Sequence, residues 1–84
     1  MRLQRVRKDV ARKAFKKGQK IIVSTVDATG IVMNDLTIGY DALMAYGTDD
    51  FDEIISKYAG YSYCNPCTRI REWVKGRQRY YIAE

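Results

Sequence analysis

The chain contains no histidine, and that absence removes the commonest general base and the commonest metal ligand. Serine–histidine–aspartate and cysteine–histidine catalysis are both excluded within it. Only two cysteines are present, Cys64 and Cys67, and only one proline, Pro66. No apolar run approaches the ~18 residues of a membrane helix; the longest of strand type is Ile21-Ile22-Val23. No apolar segment of signal-peptide type follows the basic start, so the expected location is the cytoplasm. No glycine-rich phosphate loop occurs, and no Gly-x-x-Gly loop of the KH type. The expectation is a protein that binds, with no catalytic residues, no metal and no cofactor.

One charge sign is missing from a whole segment. Residues 21–56 hold no lysine or arginine and seven acids: Asp27, Asp35, Asp41, Asp49, Asp50, Asp52 and Glu53. Residues 1–20 hold nine cations and one acid, a net +8; residues 57–84 hold six cations and two acids, a net +4. Basic ends thus flank an acidic middle, and the chain totals +5. Internal pairing could close the fold, but exposed pairs stabilise by less than ~1 kcal/mol each. The excess at the N-terminus points to an anionic partner.

What is present is ordinary core material. Apolar residues make up 46% and charged residues 30%, with seven tyrosines, two phenylalanines and one tryptophan. The 84 residues fit a single domain, 1–84. A chain this short buries roughly 60–65% of its unfolded surface, enough for one sheet against one or two helices.

Periodicity gives the elements. Val6, Val10 and Ala14, with Ala11 and Phe15 beside them, predict an amphipathic helix over residues 6–17, closed by Gly18. Residues 20–26 read as a β-branched strand, and Asp27-Ala28-Thr29-Gly30 as a turn into a second strand from Ile31. Asn34-Asp35 is a bulge or break, after which Leu36, Ile38 and Tyr40 alternate. Residues 41–46 stay ambiguous, with a helical turn as one option. Phe51, Ile54, Ile55 and Tyr58 predict a second helix over 51–59, with Asp50 and Glu53 in capping-box spacing. Capping also accounts for the acids near its start better than a metal site does. Residues 61–64 read as a short strand. Residues 69–74 and 77–82 read as a hairpin turning at Lys75-Gly76. The expected fold class is α+β, in the order α-β-β-α-β-β-β, with two helices on one face of a small antiparallel sheet.

Two constellations carry chemistry. Cys64-Asn65-Pro66-Cys67 has the spacing of half a four-thiolate zinc site or of a redox dithiol. A redox motif belongs at a helix N-terminus, whereas a strand is expected after Thr68. Zinc would need two ligands from a second copy, so a reduced pair at a turn is the preferred reading. The second constellation interleaves cations and aromatics. Arg69, Arg71 and Trp73 share one strand face; Arg77, Arg79 and Tyr81 share another. Single-stranded nucleic acid binders use this combination for phosphate contact and base stacking; the alternative is an amphipathic hairpin with solvated arginines. With the basic helix, the expected partner-binding set is Arg5, Lys8, Arg12, Lys13, Lys16, Lys17, Arg69, Arg71, Trp73, Arg77, Arg79 and Tyr81.

The run from Ala11 to Val23, with its Lys-Lys-Gly helix end and apolar strand, resembles small accessory proteins of phages of Gram-positive bacteria. Phe51-Asp52, Tyr63-Cys64-Asn65 and Tyr80-Tyr81-Ile82 add to the likeness. The chain differs from that group over residues 66–76, which are longer and carry Cys67 and Trp73. It also lacks a proline-rich segment after the first strand. At the level of class, the resemblance implies a modulator of host machinery, such as an inhibitor of CRISPR effectors or other defence complexes. The leading expectation is therefore occupation of a groove in a host protein or nucleoprotein, without membrane contact. The runner-up is a free-standing DNA- or RNA-binding protein. A homodimer stays open.

Overall fold

A computed structural model describes residues 2–83. The chain runs β1 (Leu3–Val6), α1 (Lys8–Lys16), β2 (Ile21–Val26), β3 (Val32–Ile38), α2 (Ala42–Tyr46), α3 (Phe51–Tyr58), β4 (Tyr61–Cys64), β5 (Arg71–Val74) and β6 (Arg77–Ala83). The class is α+β with antiparallel pairing throughout, as expected. In detail, the described residues form three helices and six strands, in two sheets rather than one.

The larger sheet has the order β1-β6-β2-β3. Its centre is β2, where Ile21 and Val23 are fully buried. Registers place Ile38 and Ile82 opposite Ile21, and Leu36 and Tyr80 opposite Val23. Those residues form one face. Against it pack Ala11 and Ala14 from α1 and Phe51, Ile54 and Ile55 from α3. Phe51 links the layers, its ring 5.8 Å from Phe15 and 6.1 Å from Tyr80.

The helix expected over 6–17 starts later. Arg7 is extended, with ψ 162°, and Val6 belongs to β1, where it opposes Tyr80. The apolar stripe is correspondingly rotated: Ala11 and Ala14 are buried, whereas Val10 lies exposed. The small alanines bring the helix close to the sheet. The C-terminus follows the expected glycine signal. Gly18 N–H donates to the Phe15 carbonyl (2.9 Å) and Gln19 N–H to the Ala14 carbonyl (3.0 Å), a Schellman closure.

The second helix, α3, is capped by Asp50, whose carboxylate accepts from the N–H of Asp52 (3.0 Å) and of Glu53 (3.4 Å). The reciprocal half of the box is absent. Glu53 instead accepts from Thr48 Oγ1 (3.0 Å) and Lys57 Nζ (2.8 Å). The ambiguous residues before it form α2, whose Tyr46 hydroxyl donates to the Thr37 carbonyl (2.6 Å).

The hairpin expected around Gly76 does not form. β5 pairs with β4 in a separate two-stranded sheet, while β6 pairs with β1 on one side and β2 on the other. Both edges of β6 are thus occupied, and none is left for β5. Gly76 has the positive φ (61°) that turn chemistry anticipated, but it redirects the chain from one sheet to the next. A Cβ there would lie 2.7 Å from the Val26 carbonyl oxygen. The β4–β5 pair projects as an arm. The Cα radius of gyration is 13.7 Å, against about 12 Å for a compact chain of this length.

Candidate nucleic-acid interface

The two basic ends meet in the sheet. β1 and β6 pair in the register Leu3 to Ala83, Gln4 to Ile82, Arg5 to Tyr81 and Val6 to Tyr80. Because Tyr80 and Ile82 face the helices, the alternate residues Arg77, Arg79 and Tyr81 face away from them. Arg5, directly opposite Tyr81, joins that open face. Ile22 and Thr37 extend it across β2 and β3. Three arginines and a half-buried tyrosine therefore share one sheet surface, although 72 residues separate Arg5 from Arg77.

Among the described strand residues of this face, one is acidic. Asp35 lies on β3, where its carboxylate accepts from the Ser24 hydroxyl (2.6 Å). Ser24 is buried between Asp35 and Arg79, its partners in register. The carboxylate is thereby tied into the sheet, and the arginines on β1 and β6 keep a local positive excess.

Where β1 ends and the chain turns into α1, a hollow of about 490 Å³ opens beside β6. Its lining includes Arg5, Arg7, Lys8 and Arg79, with Tyr80 and Gln78. Arg7 was not singled out in the sequence, since it falls at the junction of two elements that periodicity had merged into one helix.

The remaining expected residues divide into two groups. On α1, Arg12 Nη2 lies 2.8 Å from Asp52 Oδ1, and Lys8 Nζ lies 3.8 Å from the same oxygen. The hydrogen bond from Arg12, then the Arg12 charge, hold the Asp52 carboxyl below its usual range, and the Arg12 guanidinium is raised in return. These two cations tie α1 to α3, so part of the charge separation does close the fold. Lys13, Lys16 and Lys17 take no part in the ion pairs found among the described residues. They belong to the helix layer, on the side of the sheet opposite the arginines. Arg69, Arg71 and Trp73 belong to the arm. There Trp73 opposes Ser62 and Arg71 opposes Cys64, so Arg71 and Trp73 share a face as expected. Arg69 lies outside β5, in the left-handed region at φ 59°.

A surface of different character lies on α2 and just before it. Tyr40 is 100% exposed, Met44 90% and Leu43 59%. Alternation had placed Tyr40 in a strand, but β3 ends at Ile38. Beside this patch a second hollow of about 490 Å³ is lined by Phe15, Lys16, Tyr40, Leu43 and Asp49, among others. No helix is long and apolar enough to cross a membrane among the described residues. Compared with protein-family models, with curated proteins and with solved structures, the chain matches none of them.

Proposed function

We propose that this protein binds a single strand of nucleic acid on the open face of its four-stranded sheet. The observation that carries the reading is the convergence of Arg5, Arg77, Arg79 and Tyr81, from opposite ends of the sequence, on one face. An open sheet face with an aromatic ring among cations suits a splayed strand: the ring stacks on a base and the guanidiniums meet phosphates. A duplex hides its base faces, so it gains little from Tyr81. Each stacked base contributes about 1–3 kcal/mol by alanine substitution. The action is binding and occupancy, and no bond is made or broken.

A gel-shift comparison of a single-stranded oligonucleotide with its duplex, at two salt concentrations, tests the reading. The expected result is preferential binding of the single strand that weakens steeply with salt. Equal or stronger binding of the duplex contradicts it.

A second reading has an observation of its own. The exposed Tyr40, Leu43 and Met44 form an apolar patch beside the helix layer, away from the arginines, and aromatic residues and methionine are enriched in protein interfaces. A molecule with one nucleic-acid face and one apolar face suits occupation of a nucleoprotein, in the manner of an inhibitor of a host defence complex. Co-purification with RNA-guided nuclease complexes, followed by a cleavage assay, tests it. Failure to bind any such complex removes this second reading and leaves the first standing.

A further inference from the structure

The arm raises a separate question, because its two cysteines have no packing role. Cys64 ends β4, and Cys67 lies in the turn that follows; both thiols are free and exposed. Cysteine is among the most buried residue types, so a merely structural pair would be packed away. The loop that carries them is well formed. Asn65 N–H donates to the Ile70 carbonyl (3.0 Å), Arg69 N–H to the Asn65 carbonyl (2.7 Å), and Cys67 N–H to Asn65 Oδ1 (2.9 Å). Among the described residues no helix follows Cys67, so the dipole that activates a redox dithiol is missing.

We propose that Cys64 and Cys67 are half of a tetrahedral zinc site, completed by the same two residues of a second copy of this chain. The Cys-x-x-Cys spacing is the one by which structural zinc sites take two of their four ligands. One chain cannot finish the set. No group of three or more cysteines, histidines or carboxylates that could hold a metal occurs among the described residues. The nearest acid in sequence within the arm, Glu72, opposes Tyr63 and so lies on the face away from Cys64.

Two further observations favour a second copy as the source of the missing ligands. The first is charge. A zinc ion with four thiolates carries a net −2. Arg71 lies opposite Cys64 in register, and Arg69 is in the same loop. Two arms bring two of each, which offsets that charge. The second is exposed apolar surface. Trp73, on the same face as Cys64 and Arg71, is 53% exposed. It lies on a two-stranded arm of a kind that is marginal in water by itself, and a second arm laid against that face covers it. Contact between two arms is small compared with a stable interface, so the metal holds the pair together. The association is therefore zinc-dependent, and it is independent of the nucleic-acid face on the body.

The test uses the full chain, reduced and metal-free, titrated with zinc and, in parallel, with cobalt(II). The expected results are one metal per two chains and a doubling of mass in sedimentation velocity. Cobalt should give the intense thiolate charge-transfer and tetrahedral d–d bands of a four-sulfur site. Cys64→Ser and Cys67→Ser, both at exposed positions, should stay folded by circular dichroism, remain monomeric with zinc and lose the cobalt bands. Monomers at saturating zinc, one metal per chain without change of mass, or a zinc-induced dimer that survives both substitutions would each overturn the proposal.

Discussion

In the body, β2, β3 and β6 each set residues against α1 and α3, and nearly all the buried apolar side chains lie in that layer. In the arm, every residue from Ser62 to Trp73 except Asn65 is exposed. The arm is held by its own strand ladder and by two glycines at its base. At Gly60, φ is 146°, and a Cβ would lie 2.7 Å from the Val74 carbonyl oxygen and 2.8 Å from the Trp73 ring. The Asn34 side chain also donates to the Gly60 carbonyl (2.9 Å), which fastens the base of the arm to β3. The buried apolar side chains thus lie in the body, and the arm presents Arg71, Trp73 and the two thiols from an exposed ladder. Substitutions in the two regions should consequently have effects of different size and kind.

The largest difference is expected in the core. Ile54 is fully buried in the body, so Ile54→Ala should cost about 2–5 kcal/mol in denaturant unfolding. Trp73→Ala in the arm should cost less than about 1 kcal/mol in the same measurement, despite removing a larger side chain. Equal losses would show that the arm belongs to the cooperative core. Gly60→Ala comes next. Its backbone conformation suits glycine alone, and the penalty is on the order of 1–3 kcal/mol. Hydrogen exchange should show lost protection across β4 and β5 while β2 and β6 keep theirs. Uniform loss of protection would erase the distinction between the regions.

The smallest effect concerns the ion pair that joins α1 to α3. The folded pKa of Asp52 is lowered, chiefly by the Arg12 hydrogen bond. Its contribution is therefore present above the unfolded value near pH 4 and is lost as pH falls through the lower folded value. Asp52→Asn should lower the melting temperature slightly at pH 7, and the gap from the unsubstituted chain should close below that range. A gap that persists at pH 2 would assign the loss to packing.

The elements legible in the sequence were those fixed by nearby residues. The β-branched run of β2, the α3 stripe with its Asp50 cap, and the Asp27 turn are all local. In that turn the Asp27 carboxylate accepts from the N–H of Thr29 (2.8 Å) and of Ile31 (3.0 Å). The misread elements depend on partners far away. β1 reads as the basic start of a helix, because its strand character comes from pairing with β6 at the other end of the chain. The missing hairpin has the same cause: turn chemistry at Gly76 was correct, but β1 and β2 had taken both edges of β6. The candidate site was accordingly half legible. The grouping of Arg77, Arg79 and Tyr81 follows from alternation within one strand. The addition of Arg5, and the separation of the α1 lysines onto the other side of the sheet, follow only from topology.

The proposed nucleic-acid surface is the β1–β6 face rather than α1. Fluorescence anisotropy of a labelled single-stranded oligonucleotide over a salt series tests it most directly. Three variants are compared: the unsubstituted chain, one with Arg5, Arg77 and Arg79 changed to alanine, and one with Lys13, Lys16 and Lys17 changed to glutamate. The arginine variant should bind weakly, with a salt slope shallower by about 2, as expected for three lost phosphate contacts. The lysine variant should keep the slope of the unsubstituted chain. Loss of binding in the lysine variant, with the arginine variant unaffected, would rule out the β1–β6 face and move the interface to the helix layer.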